Sequence, residues 1–501
     1  MTPAQDAPAA TTPEGHMEAT THGHRVNPWL VLVVVCFAQF MVVLDATIVN
    51  VALPSIQLDL KLSAQNLQWI VNSYTLVFGG FLLLGGRLAD LLGRKRLFVI
   101  GTVIFSTASL VNALAPSGEV LIIARGFQGL GAALTSPAAL SIITTSFDEG
   151  PDRTKALAVW GAIAAGGAAF GLLLGGILTD LLDWRWNFII NVPVGIAVIL
   201  AALRLVPESR HETEERHFDI GGAVTVTGGL MVLVYAIVKA ESWGWASAQT
   251  ILWFAGAIIL LASFVAIELR SPEPLVRLSF FRKRWITVAN FTMLIVSGGM
   301  FGMFYFASLY VQNPKLLGYD PLQAGAAFLP VSAGIMIGAG VSQQLIGRVG
   351  VKPVVIPGMA LASLGLVILS ITTDVGGSYL ALLAGLIPMS IGMGMTFVPM
   401  TLVATAGVEA MEGGLASGLF NTSQQVGGAL GLAILSTIAT TASGASNPLT
   451  ATAQQSVDGY QAAFIVAAGL MIAGLLTVTF GLRKREVSEI HLAAEGVPVP
   501  A

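Results

Sequence analysis

The chain has 501 residues, 55% of them hydrophobic and only 11% charged, with a formal net charge of −3 and a mean hydropathy of +0.79. Soluble proteins carry about 25% charged residues. This composition therefore excludes a soluble globular domain, and the near-neutral balance gives no basis for a nucleic-acid partner. The single cysteine, Cys36, excludes a disulfide within one chain.

Residues 1–28 are polar and rich in Ala, Thr and His, without the short apolar core and cleavage site of a signal peptide. They read as a disordered tail, and His16, His22 and His24 as part of it rather than a metal site. A helical membrane span needs about 20 apolar residues. Fourteen such stretches follow, at 29–53, 66–87, 97–115, 120–144, 156–179, 186–206, 219–240, 249–269, 285–310, 321–346, 353–373, 379–400, 413–441 and 461–482. Spans seven and eight are the hardest to separate, because only Lys239 to Ala248 divides them. Cytoplasmic loops collect Lys and Arg. With the N-terminus inside, only Lys61, Arg185, Lys239 and Lys315 fall outside and Arg125 lies within a span. The rest of the 25 basic residues are inner. Both termini are thus expected in the cytoplasm, which requires an even number of spans.

Charged inner segments, His211 to Asp219 and Glu268 to Arg284, set off two blocks of six spans with a pair between them. The expected organisation is a tail (1–28), a first six-helix bundle (29–206), a linker holding two extra spans (207–284), a second bundle (285–482) and a tail (483–501). Gly86 to Arg96, between spans two and three, is echoed by Gly347 to Pro353 at the matching loop of the second block. Repeated six-span halves are a mark of transporters. No G-x-x-x-x-G-K-[ST] phosphate loop is present, so ATP drive by this chain is not expected.

Four motifs carry chemistry. Asp45 lies in span one, where a charge at the bilayer centre costs roughly 2.5–3.5 kcal/mol on insertion scales. Arg125 lies in span four at a comparable depth on the outer half, so an Asp45–Arg125 pair is physically reasonable, the alternatives being that Arg125 snorkels outward or that the pair is static; a carboxylate balanced between burial and a cation can load and release a proton. Gln128 and Gly129 belong to the same Arg125–Gly131 string. Gly86, Asp90, Gly93 and Arg94 read as a conformational latch, with Asp90 placed to meet the positive end of a neighbouring helix. Gly167, Gly171 and Gly175 have the four-residue spacing of close helix crossing; with Gly176, they form the expected packing or pivot surface. Ser417, Asn421, Gln424 and Gly428 share one face of span thirteen, which either hydrogen-bonds another helix or lines a wet cavity. Span nine is rich in Met and aromatic residues, including Phe304, suited to adaptable apolar binding. Tyr74, Asn421, Gln424 and Phe304 are the candidates for a substrate cavity.

Together these strings resemble the major facilitator superfamily, specifically its fourteen-span drug:proton antiporter branch. The resemblance is carried by Leu44–Pro54, Gly85–Arg96, Arg125–Gly131, Trp184–Gly195 and Gly318–Gly325. It departs from the branch in span five, where Leu172 stands at the usual proline position. The resemblance implies an all-α integral membrane protein of two six-helix bundles around a central cavity, with two additional helices between them. It implies a proton-driven exporter of amphipathic drugs, not an enzyme, using no metal or cofactor. Its partners would be a small substrate, protons and the lipid bilayer of the cell membrane; oligomeric state stays open. The alternatives are a dedicated transporter of one endogenous substrate and a membrane sensor or scaffold without flux.

Overall fold

A computed structural model describes residues 27–147, 150–209, 219–271, 274–276, 278–406, 408, 413–445 and 451–483. Both tails and most of the charged segment at 211–219 lie outside the described residues. The chain is helical throughout the described spans: α1 Pro28–Asp59, α2 Ala64–Leu92, α3 Arg94–Ala113, α4 Gly118–Ser146, α5 Pro151–Leu181, α6 Trp186–Ile189, α7 Asn191–Leu205, α8 Ile220–Trp243, α9 Ala248–Arg270, α10 Arg284–Gln312, α11 Pro321–Ala327, α12 Leu329–Val349, α13 Lys352–Thr372, α14 Tyr379–Thr405, α15 Gly413–Ser443 and α16 Ala453–Gly481. Thirteen described helical stretches are long and apolar enough to cross a membrane, with α6–α7 and α11–α12 each counted as one. The unbroken 31 residues of α5 supply the length of a further crossing, about 46 Å at 1.5 Å per residue. The α8–α9 pair is resolved into two helices by a turn at Gly244, whose φ of 89° ends α8, and by Ser247, which caps α9.

Helix starts follow the local chemistry. Asn27 accepts from the Trp29 amide ahead of α1, with Pro28 at the first helical position. Asp320 and Gln323 form a reciprocal capping box at α11. α1 runs six residues beyond the expected end of its span, to Asp59. That extension is anchored by Arg185 at 2.9 Å and the Trp184 indole at 3.1 Å, both on the Asp59 carboxylate.

Helices α1–α7 pack among themselves, as do α10–α16. The two groups meet along α2 and α15, where the Thr422 hydroxyl donates to the Gly79 carbonyl at 3.1 Å. They also meet toward the face opposite the chain ends. There the Ser308 hydroxyl donates to the Asn50 carbonyl at 2.8 Å. In the same half α5 crosses α11 with no room for side chains. A Cβ on Gly176 would strike the Pro321 carbonyl, and one on Gly325 would lie 2.5 Å from the Leu172 carbonyl. Among the described residues, the close approaches of α1 and α5 to α10 and α11 all fall in this half.

The α8–α9 pair lies on the flank of the seam. α8 packs on both α2 and α15, while α9 packs on α8 and leaves Leu252, Ile258, Ile259 and Leu269 exposed. In lipid that face needs no other cover.

Two outcomes follow. Gly325→Val, whose side chain would meet the Leu172 carbonyl, is expected to lower the melting temperature of the purified protein in detergent; a wild-type melting temperature would show that this crossing has room for a side chain. Cys36 is buried and supplies a silent background. Ala246→Cys, at an exposed position in the α8–α9 turn, is therefore expected to react from outside intact cells with a membrane-impermeant maleimide. Labelling only after lysis would reverse the charge-based orientation.

Candidate functional site

The site begins with two helices that turn a charge inward. On α4, Leu121, Arg125, Gln128 and Ala132 repeat at three- and four-residue spacing and are all buried. On α1, Asp45 shares the buried side with Leu44, Ile48 and Ala52. The two side chains meet: Arg125 Nη1 lies 2.5 Å from Asp45 Oδ2, with Asp45 0% and Arg125 1% exposed.

The pair sits in a wider set of donors. Gln128 Nε2 and Asn191 Nδ2 donate to Asp45 Oδ1 at 2.7 and 2.9 Å. Both also donate to Ser109 Oγ, at 3.1 and 3.0 Å, and Ser109 in turn donates to the Phe188 carbonyl at 2.9 Å. Asn112 and Arg125 both donate to Gln128 Oε1 at 2.7 Å. Arg125 Nε reaches the Ile70 carbonyl at 3.1 Å, and its guanidinium lies 4.3 Å from the Tyr74 ring centroid. Side chains or backbone of α1, α2, α3, α4, α6 and α7 thus converge on one carboxylate. A buried ion pair holds together only when its remaining donors and acceptors are satisfied, and here Asp45 accepts from three side chains.

This arrangement can do two things chemically. It neutralises Asp45 in a dry interior, and it ties the charge state of one carboxyl to the relative position of α1, α4 and α7. Because Asp45 has no solvent access here, proton exchange requires those helices to part.

Several expected residues fall elsewhere. Tyr74, expected on a cavity wall, is buried: it lies beneath Arg125, and its hydroxyl is 3.5 Å from the Val42 carbonyl. It is a cation–π support, not a cavity residue. Gly129 is where α4 touches α2, since a Cβ there would collide with the Tyr74 carbonyl. Gly171 and Gly175 face α1 at Thr47 and Ile48, whereas Gly176 alone of the set faces the second bundle. Asn421 is exposed and bonds only within its own helix, to the Ser417 carbonyl at 3.1 Å. Among the described residues, helix-to-helix bonds of α15 include those of Thr422 and of Ser423, which donates to Asn290 at 3.0 Å. Gln424 is half-buried, and Phe304 packs 5.9 Å from Phe328.

In the latch loop, Gly93 has a φ of 109°, a conformation that favours glycine, and a Cβ there would lie 2.6 Å from Glu208. Glu208 occupies the α3 N-terminus, accepting from the Lys95 amide at 3.2 Å with Arg96 3.7 Å away. An anion is favoured at that end of a helix. The Arg94 amide donates to the Ser209 carbonyl at 3.0 Å. A Cβ on Gly86 would meet Pro137 at 3.6 Å, the one contact within 4 Å among the described residues. Asp90 lies in α2, and its side chain is outside the described ones. Among the described side chains, this loop meets Glu208, beyond α7, which sequence reading missed. Asn191, Ser109 and Asn112 were missed as well. Asn191 had a signal in the Trp184–Gly195 string, and Ser109 and Asn112 had one as polar residues three apart in an apolar span.

Residues 35–432 match the family model of the Major Facilitator Superfamily. Among curated proteins, the chain is 39% identical over 466 residues to puromycin resistance protein pur8 of Streptomyces alboniger, covering 91% of each chain. It is 38% identical to cephamycin export protein CmcT of Amycolatopsis lactamdurans, covering 88% of this chain and 90% of that one. It is 36% identical to multidrug resistance protein Stp of Mycobacterium tuberculosis, covering 82% and 75%. Among solved structures, it resembles peptide transporter POT with a TM-score of 0.65 at 16% identity, over 92% of this chain and 95% of that one. It resembles the human organic anion transporter MFSD10 with a TM-score of 0.58 at 17% identity, over 90% and 99%. At such identities these two establish the fold alone.

Removing Arg125 strands a buried carboxylate, which costs about 3–5 kcal/mol. Asn191→Ala removes one of three donors and is expected to cost about 1–3 kcal/mol. Thermal unfolding of the purified protein in detergent should therefore rank wild type above Asn191→Ala, and that above Arg125→Ala. A wild-type melting temperature for Arg125→Ala would contradict the geometry.

Proposed function

The chain belongs to the Major Facilitator Superfamily, and from that premise we propose that it exports small amphipathic compounds in exchange for protons, by alternating access. It is a transporter, not an enzyme. The reading rests on one observation: Asp45 is fully buried against Arg125, Gln128 and Asn191 at the junction of α1, α4 and α7. Protonating Asp45 weakens its hold on Arg125, so the helices can rearrange; deprotonation restores the hold. Asp45 is the exchanged site and Arg125 its partner, with Gln128 and Asn191 orienting the carboxylate. No cofactor is needed, since the proton gradient supplies the work. One charge crossing 100 mV yields about 2.3 kcal/mol, which sustains a gradient of roughly forty-fold.

Relatives named for resistance to or export of antibiotics support the substrate class. In this reading, residues 29–206 and 285–482 are the two moving bundles, 207–284 carries the extra pair, and both tails are cytoplasmic. The face holding the chain ends is then the open one. Gly93, Arg94 and the Glu208 contact fix the loop at that face, and the Gly176–Gly325 crossing closes the other. Asn421, with its exposed side chain, is the cavity residue we retain, alongside Gln424 and Phe304. A dedicated transporter is the second reading, favoured by the two relatives named for a single antibiotic each.

In proteoliposomes with an imposed proton gradient, Asp45→Asn is expected to abolish uphill movement of puromycin or ethidium while retaining exchange of labelled for unlabelled compound. Uphill transport at the wild-type rate would remove Asp45 from coupling. A compound panel separates the two readings: transport of one structural class alone favours the dedicated carrier.

A further inference from the structure

A cavity of about 700 Å³ lies outside both the Asp45 network and the seam between the bundles. It is enclosed by α2, α4, α8 and α9, so the extra helix pair completes it. Its volume falls within the range of about 300–1,000 Å³ typical of ligand pockets.

The lining changes along the membrane normal. At the end near the face opposite the tails stand Asn66, Glu119 and Lys239, all within a turn or so of their helix ends. Deeper in are Val77, Leu130 and Met231, with no charge among them. Lys239 to Met231 is eight residues, about 12 Å of helix, and Asn66 to Val77 is eleven, about 16 Å. The slot therefore has a polar rim and an apolar depth close to half of a roughly 30 Å hydrocarbon core.

Three observations say what fits. Trp69, Tyr235, Trp243 and Trp253 cluster at the rim, with the Tyr235 ring centroid 6.4, 5.8 and 4.8 Å from the other three. Such aromatic clusters mark the headgroup level of a bilayer. Lys239 stands at that level, and among the described residues no carboxylate lies within ion-pair distance of its ammonium. Glu119 on the same rim is exposed in the first turn of α4, where the helix N-terminus favours its charge. Finally, Ser73 is among the residues lining the slot, and its hydroxyl is buried with no hydrogen-bond partner among the described residues. It is a donor waiting for an acceptor below the rim. Phe127 and Ile123 on the wall are more than half exposed, so the slot is open sideways to lipid.

We propose that this slot is a binding site for one phospholipid of the leaflet on that face, its phosphate on Lys239, an ester carbonyl on Ser73 and an acyl chain along the apolar depth. The site backs onto the coupling network. Trp69, Ser73 and Val77 line it from one side of α2, while Ile70 and Tyr74, on the other side, hold Arg125. Gly126 and Phe127 follow Arg125 in sequence on α4. A bound chain thus fixes the spacing of the two helices that position Arg125; this consequence, unlike the site, rests on the proposed function.

The test uses the full chain, purified in mild detergent, stripped of lipid, and incubated with phosphatidylglycerol or with a diacylglycerol of the same chains. Native mass spectrometry counts the retained lipid. Wild type is expected to hold one more phosphatidylglycerol than Val232→Trp, whose indole fills the slot. Lys239→Gln, at a partly exposed position that folding does not need, is expected to retain phosphatidylglycerol about five-fold less well, with diacylglycerol retention equally low in both. Equal phosphatidylglycerol retention by wild type and both variants would overturn the proposal. So would phosphate-independent retention, or displacement of the lipid by puromycin with parallel loss of transport in Val232→Trp, which would make the slot a substrate entrance. Because the readout is lipid retention, failure of the site and failure of the export reading stay distinguishable.

Discussion

One charge in the wrong solvent governs the first bundle. Asp45 lies midway along α1 where lipid and protein offer no water, and a carboxylate there is tolerable only if neighbours replace its hydration. Arg125 supplies the countercharge, and Gln128 and Asn191 supply the remaining donors. The requirement spreads outward. Ser109 and Asn112 satisfy the donors and acceptors that Gln128 and Asn191 leave over, the break between α6 and α7 at Ile190 delivers Asn191, and Tyr74 covers the guanidinium. Holding these parts together takes glycines where helices must touch, of which Gly129 against Tyr74 is the clearest.

The second bundle joins this one asymmetrically. On one half, α5 and α11 approach to backbone contact through Gly176 and Gly325; on the other, the described close contacts between the bundles run along α2 and α15. Leu172, at the position where the resembling branch carries proline, is buried and offers its carbonyl to this crossing. α5 remains helical through it. A proline there would remove a backbone donor and bend the helix; this chain closes the crossing with an unbroken one. Moving a network on one side of α1 while a crossing on the other side opens is the mechanical content of the proposed exchange.

Much of this is legible in the sequence, for identifiable reasons. Span positions follow from length and hydropathy, and depth along a span is read directly from residue count, so Asp45 and Arg125 match in depth without any geometry. Azimuth is not read that way. Tyr74 belongs to the right stretch of α2 but turns toward Arg125 rather than a cavity, and helix-to-helix bonds of α15 include those of Thr422 and Ser423, beside the stripe of Asn421 and Gln424. α1 outruns its apolar stretch because Asp59 is held by Arg185 and Trp184, residues 125 and more positions away. Glu208 is invisible as the partner of Gly93 and Lys95 for the same reason: nothing local distinguishes it from any other charge after a span.

If Asp45 couples export to protons, it changes protonation as substrate binds and leaves. Isotope-edited infrared difference spectroscopy on the purified protein reads this through the carbonyl stretch of a protonated carboxyl group. On adding puromycin near neutral pH, a difference band is expected in that region, and it should disappear in Asp45→Asn. An identical band in wild type and Asp45→Asn, or none in a wild type shown to bind the compound, would contradict that coupling.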